Sequence, residues 1–150
     1  MPRRGALLAQ PGIIGKKNSM NAFNSLGRFA PHLLGVLRIF TALTFISHGT
    51  QKILAFPVAP SWGMPAAFTM SWTAGMLELI GGALVLVGFL TRPTAFILSG
   101  LMACAYWMVH APKSFYPLLN GGEPAMLFCF IFLYIAAAGP GAFAIESRKA

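Results

Sequence analysis

The chain has 150 residues, of which 57% are hydrophobic and only 9% charged, with a mean hydropathy of +0.70. A soluble domain carries about 25% charged residues, so this composition belongs to a membrane protein, and the absence of short alternating strands excludes a barrel. Eleven Lys and Arg against three acidic residues make a net charge of +8, but the cations mark segment ends and leave no basic stripe for nucleic acid.

Residues 1–21 are basic and aperiodic, with Arg3, Arg4, Lys16 and Lys17, and are expected to form a disordered tail. Over 22–31, Phe23, Leu26 and Phe29 recur at helical spacing around Arg28, which predicts a short interfacial helix ending before Pro31. Residues 32–146 then form the membrane domain, and 147–150 a C-terminal tail. ALLAQPGIIG near the start is too short and too broken by Pro11 and Gly12 for a signal peptide.

The first predicted span runs from about Leu33 to Phe56, long enough to cross because about 20 residues at ~1.5 Å each cover a ~30 Å hydrocarbon core. FPVAPSWGMP follows as a turn-rich connection with an interfacial Trp62. The second span covers about Ala67 to Leu90 and the third about Pro93 to His110. Only Thr91 and Arg92 lie between them, so these two are antiparallel neighbours. APKSFYPLLNGGEP is read as a loop, and a fourth span runs from Glu123 to Ala138, ended by GPG. The fold class is therefore all-α: a membrane-embedded antiparallel four-helix bundle. The positive-inside rule places both termini and the Arg92 turn in the cytoplasm, with Lys52 and Lys113 toward the other side.

Polar residues inside such spans are costly, at roughly 2.5–3.5 kcal/mol for a charge at mid-helix on the insertion scale. Arg38, His48 and Lys52 fall within an arc of about 80° on the first helix, at about 100° per residue. Arg38, like Arg92, suits a cytoplasmic-side anchor, and both Arg38 and Lys52 are placed to snorkel. Glu78 sits near mid-depth on the second helix, with Ala74 and Gly82 on its face, and needs a partner among Lys52, His48 and Arg38. His48, Gln51, Lys52, Glu78, His110 and Glu123 together make a candidate polar pocket. The same side chains also suit interhelical hydrogen bonding, and Glu123 suits a helix N-terminus. No ExxH pair or similar spacing is present, so no metal is expected. Cys104 and Cys129 fall within spans, without a CxxC, and read as small buried hydrophobes.

RIFTALTFISHGTQKIL in the first span, ELIGGALVLVGFLTR in the second, NGGEPAMLF entering the fourth and the GPG ending together resemble the DoxX family of small four-helix bacterial membrane proteins, over about residues 33–146. The family's ending is similar to GPG followed by Ser and Asp, where this chain has Ala144 and Glu146. The resemblance implies a multi-pass protein of the bacterial inner membrane, with links to quinone-coupled oxidation of sulfur compounds and to complexes that handle oxidative or thiol stress. The expectation is a membrane subunit of an oxidoreductase assembly that holds a quinone or small thiol compound. No haem, flavin or iron–sulfur motif is encoded, so electrons would come from a soluble or membrane redox partner. A small transporter or proton pathway, and a non-catalytic scaffold, use the same polar core and stay open, as does homo-oligomerisation.

Overall fold

The computed structural model describes residues 25–146, so the expected tail at 1–21 and the last four residues lie outside the described part. Two compact units are distinguished, one up to Ala30 and one from Pro31 onward. In the first, Gly27–Phe29 form a 3-10 turn, and the Arg28 guanidinium lies 4.8 Å from the centre of the Phe29 ring. The expected interfacial helix over 22–31 is described only from residue 25, and it does not stop before Pro31. Helix α1, Ala30–Leu54, begins there instead. Proline is tolerated in a first turn because its missing N–H would have no intrahelical partner at that position.

Helix α2 spans Met70–Val87 and α3 spans Thr91–Ala105, continuing as a π-helical turn over Tyr106–His110. The segment read as a loop contains one further turn, α4, Pro117–Asn120, started by the preset φ of its proline. Helix α5, Glu123–Ala138, completes the set, and no strand occurs among the described residues. Gly27–Leu54, Met70–Val87 and Thr91–His110 are long and apolar enough to cross a bilayer, while Glu123–Ala138 is a shorter apolar helix. At ~1.5 Å per residue α5 falls a few ångströms short of a ~30 Å core.

The four long helices close into a ring. Phe45 of α1 meets Phe132 and Phe128 of α5 edge-on, with centroids 4.8 and 5.3 Å apart. The Ser99 hydroxyl of α3 donates to the Cys129 carbonyl of α5 at 2.9 Å. Leu98 of α3 packs on Gly81 of α2. Where α1 crosses α2, a Cβ on Gly49 would stand 2.7 Å from the Leu79 backbone nitrogen, and one on Gly75 would stand 2.9 Å from the Lys52 Cβ. In lipid no hydrophobic force drives helices together, so close backbone approach through small residues must supply the attraction. Phe45, Val85, Leu98, Phe132 and Ile135 fill the middle and are all fully buried.

At the end of the bundle where α1 begins and α5 ends, Arg38 departs from the expectation of snorkelling. It is fully buried. Its Nη1 donates to the carbonyls of Val85 and Leu86, at 2.6 and 2.5 Å, and its Nε to that of Pro140 at 2.8 Å. Nη2 reaches the carbonyls of Ala142 and Phe143, at 3.3 and 3.1 Å. Helix ends leave carbonyls without intrahelical donors, and hydrocarbon offers none, so a five-donor fork beside the end of α2 is held by bonds that solvent exposure would forfeit. Arg92 does the same for α5 from an exposed position, donating to the carbonyls of Ala136, Ala137 and Ala138. Its positive charge also complements the negative end of that helix.

The GPG segment is thus a tether rather than a mere stop. Ala142 N–H donates to the Pro31 carbonyl at 2.8 Å, and Ile145 and Glu146 N–H donate to the carbonyls of Val87 and Gly88, both at 3.1 Å. Glu146 Oε1 accepts from the Thr91 backbone N–H at 3.0 Å, which satisfies a donor at the start of α3.

Candidate functional site

The opposite end of the bundle is polar for a different reason. The last turns of α1 carry His48, Gln51 and Lys52, and the Gly49–Gly75 crossing brings them against the face of α2 that bears Glu78. Lys52 does not snorkel: its Nζ donates to Glu78 Oε1 at 2.5 Å, with the two side chains only 18% and 3% exposed. Of the three partners expected for Glu78, Lys52 is the one in contact. Arg38 lies on the same helix but 14 positions earlier, roughly 21 Å along the axis at ~1.5 Å per residue.

The second oxygen of Glu78, Oε2, is buried and has no hydrogen-bond partner among the described residues. Burying a polar atom without a partner costs about 1–3 kcal/mol, more for a charged group, so native structures keep few of them. Glu78 sits on the wall of a cavity of about 300 Å³. His48, Gln51, Lys52 and His110 join it there on the polar side, and Phe45, Met102, Ala105 and Phe128 on the apolar side. Trp62, Gly121, Pro124 and Ala125 complete the lining. The His48 ring meets Phe128 edge to face, with centroids 5.9 Å apart.

His110 closes the π-helical turn of α3, in which Ala111 N–H reaches back five residues to the Tyr106 carbonyl at 2.8 Å. Such turns widen a helix by one residue and re-aim the side chains that follow. The His110 Nδ1 lies 3.0 Å from the Asn120 carbonyl. A carbonyl only accepts, so Nδ1 carries the proton and Nε2 remains as the ring's other polar atom. Asn120 is itself buried and braces the NGGEP stretch: its Nδ2 donates to the Ser114 carbonyl at 2.8 Å, and its Oδ1 accepts from Gly122 N–H at 2.7 Å.

Five of the six residues expected in the pocket therefore share one cavity wall. Glu123 is outside the lining; it is exposed, in the first turn of α5, where a carboxylate complements the positive end of the helix dipole. Sequence reasoning missed Asn120, although an Asn followed by Gly-Gly before a helix is a turn signal. It also missed Glu146, whose contact with Thr91 spans a chain separation that periodicity does not register. Among the described residues, no group of three or more His, Cys, Asp or Glu is placed to hold a metal ion.

The DoxX family profile matches residues 33–111, a stretch that contains α1, α2 and α3 from residue 33 to the end of the π-helical turn. An uncharacterised protein of Haemophilus influenzae is 41% identical over 129 residues, covering 83% of this chain and 96% of its own length. A protein named inner membrane protein YphA, from Escherichia coli K12, is 26% identical over 141 residues, covering 87% of this chain and 99% of its own. No solved structure matches the chain. With a matching profile over more than half its length, and a relative that it parallels almost end to end, the chain belongs to the DoxX family of membrane proteins.

Proposed function

We propose that this chain is the membrane subunit of an oxidoreductase assembly and that its cavity holds the headgroup of a membrane-soluble quinone. The observation that carries this reading is the buried Lys52–Glu78 pair, whose second carboxylate oxygen has no partner among the described residues, in the lining of a cavity that also holds Phe45 and Phe128. A single aromatic ring with polar groups at its edge suits that combination, and the volume lies at the small end of ligand sites, which run from about 300 to 1,000 Å³. A quinone fits better than a small thiol compound, because no cysteine lines the cavity. His110 and His48 place two imidazoles, groups that can pass a proton, in the lining beside the ring, as ring chemistry coupled to protons requires. Electrons come from a partner protein. The distribution of Lys and Arg supports a cytoplasmic position for the end that holds Arg38 and Arg92, with the cavity in the outer half of the inner membrane.

The test is purification in native-lipid particles, with copurifying quinone measured by mass spectrometry. Exchanging the ion pair as a unit, Lys52→Met with Glu78→Leu, leaves no unpaired buried charge and so keeps the fold. The content of quinone and its reduced form together is expected to fall about 10–100-fold in that double variant, the equivalent of a lost hydrogen bond to a charged group. Wild-type particles that hold no quinone, even after incubation with a soluble analogue, would overturn the proposal. Solute or proton uptake by reconstituted vesicles would point to a transport role instead.

A further inference from the structure

The polarity of the cavity wall says which redox form of such a ligand it takes, an inference that rests on the quinone reading of the same cavity. Two of its polar atoms have their roles set by their neighbours. Glu78 Oε1 is taken by the Lys52 ammonium, and a carboxylate in a salt bridge is an acceptor at both oxygens, so the unpartnered Oε2 calls for a donor. His110 spends its Nδ1 proton on the Asn120 carbonyl, which leaves Nε2 of the neutral ring as an acceptor too. The Lys52 ammonium on that wall is committed to Glu78, so the donors of the lining are the Gln51 amide and the Trp62 indole, and the acceptor at Glu78 is the group that separates the two redox forms.

A quinone presents two carbonyl oxygens, which only accept. Set against a carboxylate oxygen, such a carbonyl adds repulsion and leaves Oε2 as unsatisfied as before. A quinol presents two hydroxyls. One satisfies the carboxylate through a charge-assisted hydrogen bond, and the other is available to the imidazole. We infer that the cavity selects the dihydroxy form: Glu78 Oε2 and His110 Nε2 act as paired acceptors for a hydroquinone, and Glu78 is the residue that discriminates it from the quinone. A site built around buried acceptors rejects an isostere that lacks the matching donors far more strongly than an apolar pocket rejects a change of shape.

The experiment measures binding to the full chain in lipid nanodiscs, anaerobically, through quenching of tryptophan fluorescence. Three probes share one ring and one alkyl chain: a decyl-substituted benzoquinol, the matching benzoquinone, and the bis-methyl ether of the quinol, which keeps the shape and loses both donors. The quinol is expected to bind about 10–100-fold more tightly than either of the others. In Glu78→Gln, whose amide offers N–H groups to a carbonyl, the preference should shrink to about threefold or less, or reverse. A wild-type protein that binds quinone as tightly as quinol would overturn the inference while leaving the quinone site intact. So would a preference that Glu78→Gln leaves unchanged. Failure of all three probes to bind would remove the quinone reading itself.

Discussion

Arg38 is the residue with the most contacts at stake. One guanidinium ties three chain regions together: its own helix α1, the end of α2 at Val85 and Leu86, and the segment Pro140–Phe143. Lysine has one charge centre without the planar fork, so it cannot serve acceptors on both sides at once. Removing the side chain takes the donor from partly buried carbonyls such as those of Leu86 and Pro140, each worth about 1–3 kcal/mol. Arg38→Ala is therefore expected to lower the thermal midpoint in detergent sharply, with Arg38→Lys recovering less than half of the loss. Arg92→Ala, which frees only exposed carbonyls at the end of α5, should lower it far less. Equal midpoints for Arg38→Ala and Arg92→Ala would contradict the role assigned to burial. Arg38 also marks a limit of legibility. Its position in an apolar helix told that it needed acceptors, but nothing local told that three of them lie more than a hundred residues away in the chain.

At the scale of the element, the α1–α2 crossing decides where the cavity forms. Gly49 and Gly75 allow two backbones to meet, and that contact sets Lys52 beside Glu78. A methyl at position 49 would meet the Leu79 backbone, which cannot rotate away, whereas one at Gly100 on α3 would meet nothing within 4 Å. Gly49→Ala is expected to destabilise the bundle, since overpacking a close contact typically costs about 1–3 kcal/mol, and to weaken quinone retention with it. Gly100→Ala should leave stability unchanged or raise it by about 0.5–1 kcal/mol, the helix-propensity gain of alanine over glycine. Thermal denaturation of the two variants side by side checks the contrast. The period of the hydrophobic residues located all four apolar helices, yet Glu123 shows what it leaves out. Depth along a helix can be counted from the sequence, but the rotation that turns one side chain into the cavity and its neighbour away is set by packing.

The whole molecule is an apolar middle between two polar ends of opposite character. One end is a closed knot, in which Arg38, Glu146 and the GPG segment satisfy helix termini. The other carries an open cavity with an acceptor left over. That asymmetry is what a membrane protein needs if one end is to be rigid and the other is to admit a ligand. The Lys and Arg distribution predicts that both termini face the cytoplasm, so a C-terminal green fluorescent protein fusion should be bright and a C-terminal alkaline phosphatase fusion inactive. The reverse pattern would move the cavity to the cytoplasmic half.

Sequence alone determined that this chain is helical, that it lives in a membrane, roughly where its helices lie and which few side chains are too costly to be incidental. Those features depend on transfer free energies and on local periodicity, and both are properties of short stretches read one at a time. Tertiary structure decided the rest: that Lys52 rather than Arg38 neutralises Glu78, that Glu123 stands aside, that Arg38 is buried rather than exposed to headgroups, and that Glu146 returns to the start of α3. Each of these is a pairing between segments distant in the chain. Such pairings follow from how close two backbones can come and at what rotation, which only the packed bundle specifies.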